Sequence, residues 1–375
     1  MTAQPPLPGS HRVAVVHNLD FVEDDDDIPS TNDFDARANA DVAEVATHVT
    51  RALRSAGHTP IQFGVRGSIE ELIPQLHERE IGVVFNLVES LGGDPRREPE
   101  VPRALAKAGF ACTGNPGRAL TNALHKDVVR AVLATHRIPI ARGCTVGGPT
   151  RLGAVKRARL RYPLFVKPAA ADGSIGISQA SVVVDDTQLR ERVEFLVANI
   201  PGPYLVEEYL PGPEVNVAIF PADDTVGGAR LVPTTIDFSG NPRECLPIVT
   251  YACKWDESSP EYHARTVPLG ELLSVSARRD LLRTAEAAFY VIGGNSYGRV
   301  DLRIDAAGRA CVIDVNPNPD LHPEAGYAVA LRGAQVPYAQ VVDTIVQQAV
   351  RRARPVAPSI VRPRSGAARC AFAVG

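Results

Sequence analysis

The segment from Arg299 to Asn316, RVDLRIDAAGRACVIDVN, carries polar residues whose types and spacing could bind a metal ion. If this segment is a hairpin that turns at residues 307–308, Asp301 lies opposite Asp314 on one face. Arg299 and Asn316 form a further pair on the same face. The other face is then wholly apolar, with the pairs Val300–Val315, Leu302–Ile313 and Ile304–Cys311.

The polar face of this hairpin predicts a divalent-cation site. Two carboxylates that face each other across a strand pair repel, and carboxylate and amide oxygens are the ligands of a hard cation. Asp301, Asp314 and Asn316 are therefore candidate Mg²⁺ ligands, and Arg299 could hold a phosphate or acyl-phosphate oxygen. Because protein-bound Mg²⁺ often contacts substrate phosphates, the pattern points to a nucleotide. The alternative is a surface hairpin with solvated Asp and Arg side chains.

A lysine at the end of a predicted strand could contact the phosphates of that nucleotide. Lys167 is followed by the small-residue loop 168–176, whose backbone N–H groups could approach phosphate oxygens. No GxxxxGK[ST] motif occurs, so the chain is not a P-loop protein.

Three glutamates follow this loop in the strand-like segment 203–220. Since side chains alternate along a strand, Glu207 and Glu208 cannot both be buried. Glu214 stands alone in an apolar strand, where an unpaired carboxylate would be costly. Ribose hydroxyls or a salt bridge would each satisfy it, and the sequence leaves both alternatives open.

The elements that must position these residues fall into three predicted domains. Strands alternating with helices predict a parallel α/β domain over residues 11–114. Residues 115–208 predict a central domain, with a helix at 119–135, strands at 163–167, 177–184 and 204–208, and a helix at 186–199 capped by Asp185 or Asp186. Residues 209–353 predict a third domain with the hairpin, strands at 214–220 and 231–236, and helices at 277–292 and 338–352.

The ends of the chain and one internal segment lack the pattern of folded elements. Residues 1–10 predict a disordered N-terminus, and residues 354–375 predict a flexible basic tail. The acidic segment Glu23–Asp27 is either a solvated loop or a site for a cation or an amine.

The composition excludes several classes of protein. The 375 residues have a formal net charge of -3 and are 45% hydrophobic, without the basic excess of a nucleic-acid-binding protein. No apolar run predicts a membrane span, and no apolar N-terminal region predicts a secretion signal. The six cysteines form no CxxC pair or zinc spacing, which favours reduced thiols in a cytoplasmic protein.

The motifs FVKP, DGSIGIS, VEEYLPGPEVNVAI, YACKW, YGRVDLR and VIDVN occur in an order that resembles the ATP-grasp superfamily. Over about residues 80–345 the chain is most similar to D-alanine–D-alanine ligases. The resemblance implies an α/β (α+β) ATP-grasp fold of three domains, with the nucleotide held between the central and C-terminal domains. It also implies ATP and two Mg²⁺ ions, or Mn²⁺ in their place, as cofactors, with a homodimer as a family-level expectation.

The resemblance also implies a role for individual residues. Arg299, Lys254 and Ser174 correspond to catalytic residues, and Asp301, Asp314 and Asn316 correspond to the metal ligands. The residues implied to bind the nucleotide are Lys126, Lys167, Gly173, Ser174, Glu207, Glu208, Tyr209, Leu210, Glu214 and Lys254.

Several positions depart from the pattern of the family, among them the N-terminal Glu that holds the first substrate's amino group, for which Asn39 or Asp41 lies nearest. Asp314 stands in place of the usual Glu, Trp255 in place of a Tyr, Gly173 in place of a loop Ser, and Ala325 near the Ser that binds the second substrate's carboxylate. The expected function is an ATP-dependent carboxylate–amine ligase that forms an amide through an acyl phosphate. Small-molecule carboxylates and amines are the expected substrates. The alternatives are a divergent D-alanine–D-alanine ligase and a nucleotide-binding protein without turnover.

Overall fold

A computed structural model of the chain describes residues 9–19, 33–171, 173–221 and 229–353. Three sheets follow one another along these residues, each with its own helices. The predictions for residues 1–8, for the acidic segment 23–27 and for the tail 354–375 lie outside the described residues.

The first sheet is parallel, as predicted, because each strand is followed by a crossover before the next. Its elements are β1 (Arg12–Asn18), α1 (Asp33–Ser55), β2 (Thr59–Val65), α2 (Ile73–Glu78), β3 (Val83–Asn86), α3 (Glu100–Lys107) and β4 (Ala111–Cys112). The strand order is β2-β1-β3-β4. Helix α2 carries Pro74 in its first turn, where a missing N–H costs nothing.

The second sheet is antiparallel, with the strand order β5-β8-β6-β7. Its region contains α4 (Gly117–Ala123), α5 (Lys126–Thr135), β5 (Gly143–Val146), α6 (Gly153–Arg157), β6 (Leu164–Pro168), β7 (Val182–Val183), α7 (Asp186–Asn199) and β8 (Tyr204–Glu208). As predicted, the Asp185 side chain caps α7 by accepting from the Gln188 N–H at 2.8 Å.

Two predictions for the second region are wrong. The single helix predicted at 119–135 is two helices, since His125 takes an extended conformation (φ -126°, ψ 108°) and ends one before the other begins. The strand predicted at 177–184 is reduced to two residues, because a 3-10 helix at Gln179–Ser181 precedes it. The Ser178 and Ser181 side chains stabilise that helix by a reciprocal capping box.

The third sheet is antiparallel and contains the predicted hairpin. Its region comprises β9 (Glu214–Pro221), β10 (Ala229–Asp237), α8 (Tyr251–Trp255), β11 (Arg265–Pro268), α9 (Val275–Val291), β12 (Gly298–Ile304), β13 (Ala310–Asn316), α10 (Gly326–Gly333) and α11 (Tyr338–Ala353). The strand order is β11-β10-β9-β12-β13. One face of β9, β12 and β13 packs on the apolar side of α9, which leaves the opposite face for polar residues.

One buried cluster joins the first sheet to the third. It contains Val13 of β1, Phe85 of β3, Phe220 of β9 and Val342 of α11. The two predicted domain boundaries, after residues 114 and 208, fall between sheets, but this shared core means that the first and third regions pack together directly. Among the described helices, none is both long and apolar enough to cross a membrane.

Candidate active site

A row of oxygen-bearing side chains crosses three neighbouring strands of the third sheet. In the registers of this sheet, Asn216 of β9 lies opposite Asp301 of β12, and Asp301 lies opposite Asp314 of β13. Arg299 lies opposite Asn316 in a further pair. Directly opposed residues of neighbouring strands share a face, so the predicted polar face forms and extends onto β9.

The apolar face of the hairpin differs from the prediction because of a β-bulge. The register shifts after the Asp301–Asp314 pair, so that Leu302 lies opposite Val312. Ile313 is the extra residue in β13 and has no direct partner. The predicted pairs Leu302–Ile313 and Ile304–Cys311 are therefore wrong.

The bulge turns Ile313 toward the cleft between the second and third sheets. Its side chain packs in a small cluster with Cys311 and Leu210, away from the core beneath β12. Its carbonyl oxygen accepts a hydrogen bond from the Lys167 Nζ at 3.1 Å. A bulge beside a site re-aims the chain in this way, and here it links β13 to the lysine of β6.

The predicted cations come to this face from four different elements. Lys126 is the first residue of α5, and its Nζ lies 3.5 Å from an Asp314 carboxylate oxygen. The break between α4 and α5 places Lys126 at a helix start rather than within a helix. The Arg299 guanidinium makes two bonds to Asp301, at 2.7 and 2.8 Å. Lys254 of α8 acts on both Asp314 and Glu214 through its charge.

These charges keep the site ionised. Burial raises the pKa of Asp314, but Lys126, Lys167 and Arg299 outweigh it, and the net pKa lies below the ordinary value. Burial lowers the pKa of Arg299, and attraction by Asp301 more than reverses this. Desolvation, followed by repulsion from Arg299, lowers the pKa of Lys254.

Glu207 joins two cations beneath the cleft. Its carboxylate lies 3.0 Å from the Lys167 Nζ and also pairs with Arg130 of α5. Glu207 is buried, whereas Glu208 turns to the other side and pairs with Arg142 and Arg161 near the surface. The prediction that only one of these glutamates is buried is confirmed.

Glu214 has a salt bridge as its partner in this structure. The Arg303 guanidinium lies 3.4 Å from its carboxylate, and both side chains are buried. Arg303 also donates to the backbone carbonyls of Leu210, Pro247 and Gly212. Burial still raises the pKa of Glu214, with Arg303 opposing the rise.

Tyr209 and Leu210 follow β8 and lie beside this buried pair. The Arg303 guanidinium stacks over the Tyr209 ring, 5.4 Å from its centroid, and also reaches the Tyr209 hydroxyl at 3.4 Å. Leu210 is buried. Contacts with Arg303 of the third sheet thus hold the segment that leads from the second sheet to the third.

The loop that carries Gly173 and Ser174 contacts the segment 249–255. The Trp255 indole N–H donates to the Gly173 carbonyl at 2.8 Å, and the Ser174 hydroxyl donates to the Val249 carbonyl at 3.0 Å. Both Gly173 and Ser174 have positive φ, of 61° and 62°, which a glycine adopts without strain and a serine does not. The predicted phosphate loop therefore contacts the segment that carries Lys254.

The donor set on the polar face fits a hard divalent cation. Asp301 and Asp314 supply carboxylates, and Asn316 supplies an amide oxygen whose present partner is the Asn318 N–H. The side-chain oxygen of Asn216 is buried and has no hydrogen-bond partner. A buried amide oxygen without a donor, next to Asp301, is what an oxygen-seeking ion or its water would satisfy.

The family model of the D-ala D-ala ligase C-terminus matches residues 143–347, which is more than half of the chain and includes every strand of the second and third sheets. The protein belongs to this family. It is an enzyme, an ATP-dependent ligase of the ATP-grasp type.

Individual relatives agree with this membership. An uncharacterized protein of Sinorhizobium fredii is 28% identical over 316 residues, which are 82% of this chain and 88% of that protein. A D-alanine–D-alanine ligase of Corynebacterium aurimucosum is 25% identical over 287 residues, or 76% of each chain.

Solved structures show the same fold. The D-alanine–D-alanine ligase of Bacillus anthracis, complexed with ATP, superposes with a TM-score of 0.68 at 16% identity, covering 92% of this chain and 99% of that one. The VanG D-Ala:D-Ser ligase of Enterococcus faecalis gives 0.64 at 16% identity, covering 91% of this chain and 99% of that one. The predicted ATP-grasp fold is confirmed.

Sequence reasoning missed three residues of this ATP-grasp ligase site. Arg303 follows Asp301 by two residues, so strand alternation already put it on the polar face. Arg130 lies one turn after Lys126 on α5, a helical spacing that could have indicated a shared face. Asn216 follows Glu214 by two residues, but its place beside Asp301 depends on how two separate strands pair, for which the sequence carries no local signal.

Proposed function

We propose that this protein joins a carboxylate to an amine through an acyl phosphate, with release of ADP and phosphate, and that an amino acid is joined to an amine-bearing acceptor. The observation that carries the proposal is the convergence of Lys126, Lys167, Lys254 and Arg299 on the Asp301–Asp314 row. A cationic cleft around paired carboxylates suits a polyphosphate with a bound cation.

In the first step, an oxygen of the substrate carboxylate bonds to the γ-phosphorus of ATP as the bond to the bridging oxygen breaks, and ADP leaves. Lys167 and Lys126 would hold the phosphates, and Lys254 and Arg299 would neutralise charge on the transferred group. Such positioned charges account for most of the rate in phosphoryl transfer. Asp301, Asp314 and Asn316 would hold Mg²⁺, which would supply further charge neutralisation.

In the second step, the amine nitrogen bonds to the acyl carbon, the bond from that carbon to the phosphate oxygen breaks, and the departing phosphate takes the proton that the nitrogen loses. Arg299 stabilises the oxyanion that forms at the acyl carbon. The contact between Gly173 and Trp255 would hold the two loops closed over the site and so protect the acyl phosphate from water.

One position supports an acceptor other than D-alanine. Ala325 is the residue before α10 and has no side-chain hydrogen bond to that helix. A hydroxyl at this position is implied in D-alanine–D-alanine ligases by the resemblance, and Ala325 cannot supply one. The second substrate therefore lacks this contact for its carboxylate.

The test is release of ADP and phosphate from ATP across a panel of D- and L-amino acids, singly and in pairs, with products identified by mass spectrometry. The expected result is ADP release that depends on a particular pair and yields an amide. AMP and pyrophosphate as products would overturn the acyl-phosphate mechanism. D-alanine as the single sufficient substrate would instead establish a D-alanine–D-alanine ligase.

A matched pair of variants tests the Asp301–Asp314 row. Asp301→Asn should lower kcat by about 100-fold or more, as expected for a lost charge contact in the transition state. Asp305→Asn, in the turn of the same hairpin, is the control and should keep most of the activity. Equal activity of both variants would remove Asp301 from the site.

A further inference from the structure

Three ligand-type side chains meet where α1 packs against the loop from β13 to α10. Glu44 and His48 lie four residues apart on α1 and so share a face of that helix. His322 reaches them from the loop. One ligand atom of each residue lies within 4.8 Å of those of the other two.

The distances in this cluster suit metal ligands. Each histidine Nε2 lies 3.5 Å from the same Glu44 Oε1 atom. Two ligands of a tetrahedral ion with bonds of about 2.1 Å are separated by about 3.4 Å. At 3.5 Å the contacts are at the long end of hydrogen-bond distances, whereas they match the edge of a metal tetrahedron.

We propose that Glu44, His48 and His322 bind one zinc-type transition-metal ion, with water in the fourth position. Two imidazoles and one carboxylate are a ligand set that Zn²⁺ uses in sites with an open position. Nitrogen ligands distinguish it from the all-oxygen row of Asp301 and Asp314, which suits Mg²⁺.

The backbone holds His322 in place before any ion binds. The preceding residue, Leu321, is buried, and its carbonyl accepts from the Tyr338 hydroxyl at 2.9 Å. The His322 N–H donates to the Asp320 carboxylate at 2.7 Å, which closes a tight turn. On α1, the residues beside the two ligands are in the buried core, so both sides of the site are fixed.

The Glu44 carboxylate is ionised, and all three side chains reach solvent. The hydrogen bonds from His322 and then from His48 hold the pKa of Glu44 below its ordinary value, so its carboxylate is ionised near neutral pH. The Glu44 side chain is 60% exposed and the two histidines are each 28% exposed. An ion can enter from solvent, and water can complete its coordination.

Ion binding would replace one local hydrogen bond. The Glu324 N–H donates to the His322 Nδ1 at 3.2 Å. A metal on Nε2 requires the proton on Nδ1, so this donor must turn to water instead. Glu324 is exposed, which makes that exchange inexpensive. The bound ion would tie α1 to the loop that follows Asn316. It would therefore link the helix that packs on the first sheet to the end of β13 in the third sheet.

The test uses Co²⁺, whose visible absorption bands report tetrahedral coordination independently of turnover. Untagged full-length protein in excess Mg²⁺, which fills the oxygen site, is titrated with Co²⁺ and then with Zn²⁺. The expected result is tetrahedral bands that saturate at one equivalent and disappear when Zn²⁺ displaces Co²⁺. Absence of such bands overturns the proposal.

Variants locate the ion. Glu44→Gln, a change of an exposed side chain, and His322→Ala should each weaken Co²⁺ binding by at least about tenfold, the loss that even outer-shell partners of a metal cause. His136→Ala, at an exposed histidine directly after α5, and Asp314→Asn, in the Asp301–Asp314 row, should keep the bands. Unchanged affinity in Glu44→Gln and His322→Ala, or bands lost in Asp314→Asn, would contradict the assignment.

Discussion

Asn216 lies beside Asp301 with a buried side-chain oxygen that meets no donor. Replacing an unsatisfied buried oxygen with an apolar group of similar size removes a desolvation cost of about 1–3 kcal/mol. We therefore expect Asn216→Leu to raise the free energy of unfolding in metal-free protein by roughly 1 kcal/mol, and to weaken Mg²⁺·ATP binding. Urea unfolding and calorimetric titration measure the two effects.

Asn241 offers the matched control for this change. Its side-chain oxygen and nitrogen are also buried without partners. It lies in the connection between β10 and α8, however, and not in the Asp301–Asp314 row. Asn241→Leu should stabilise the protein in the same way without changing Mg²⁺·ATP affinity. An Asn216→Leu variant that keeps full Mg²⁺·ATP affinity would mean that the orphan oxygen has no role in the site.

Arg303 stabilises the connection between β8 and β9 by pairing with Glu214 and by donating hydrogen bonds to three backbone carbonyls. Breaking a buried pair leaves an uncompensated charge, at a cost of about 3–5 kcal/mol. Arg303→Met should therefore destabilise the protein by about 3 kcal/mol or more in urea unfolding. The double variant Arg303→Met/Glu214→Gln should recover part of that loss, and no recovery would show that the carbonyl contacts alone account for it.

At the scale of residues, strand alternation predicted the Asp301–Asp314 pair because both residues belong to one local hairpin. The same rule fails at Ile313, since a bulge adds a residue that no periodicity marks. The neighbours of Glu214 and Asp301 on other strands depend on pairing across the sheet. That pairing is decided by tertiary packing, so the sequence alone did not predict it.

At the scale of elements, the errors lie where chain direction changes beside the site. The predicted helix at 119–135 is apolar at helical spacing throughout, but the break at His125 turns Lys126 toward Asp314. The long helices α7, α9 and α11 were predicted within two residues of their observed ends, because periodicity and N-caps act locally. The break at His125, which positions Lys126, is marked by neither periodicity nor an N-cap.

The contact between the two loops predicts a change in product partition. Trp255→Phe keeps the aromatic ring but removes the hydrogen bond to the Gly173 carbonyl. We expect looser closure, so that more acyl phosphate is lost to water and phosphate release exceeds amide formation by several-fold. The ratio of phosphate to amide measures this effect. Tyr290→Phe, on the exposed side of α9, is the control. An unchanged ratio of phosphate to amide in Trp255→Phe would mean that the hydrogen bond to Gly173 does not contribute to loop closure.

At the scale of the whole molecule, the alternation of strands and helices predicted the parallel first sheet, and the motif order predicted the ATP-grasp fold. The core shared by β1, β3, β9 and α11 was not predicted. Its members lie more than three hundred positions apart in sequence, from Val13 to Val342, and no local pattern relates them.

Buried His17 of β1 predicts how stability depends on pH. Burial lowers its pKa below the ordinary 6.5, and the bond to the Asn18 carbonyl opposes this only in part. The unfolded chain therefore binds the proton first, so the stability is complete above pH 6.5 and falls as the pH drops toward the lower folded pKa. His17→Gln should flatten the dependence of the unfolding free energy on pH in that window, and an unchanged pH dependence in this variant would contradict the assignment to His17.

Trp255 is the single tryptophan of the chain, and its indole lies against the Gly173 carbonyl at the closing edge of the cleft. Its fluorescence therefore comes from one place, the place where the two loops meet. The unlabelled enzyme carries its own optical probe of closure, and rapid mixing with nucleotide would time the movement of the loops from the emission of a single ring.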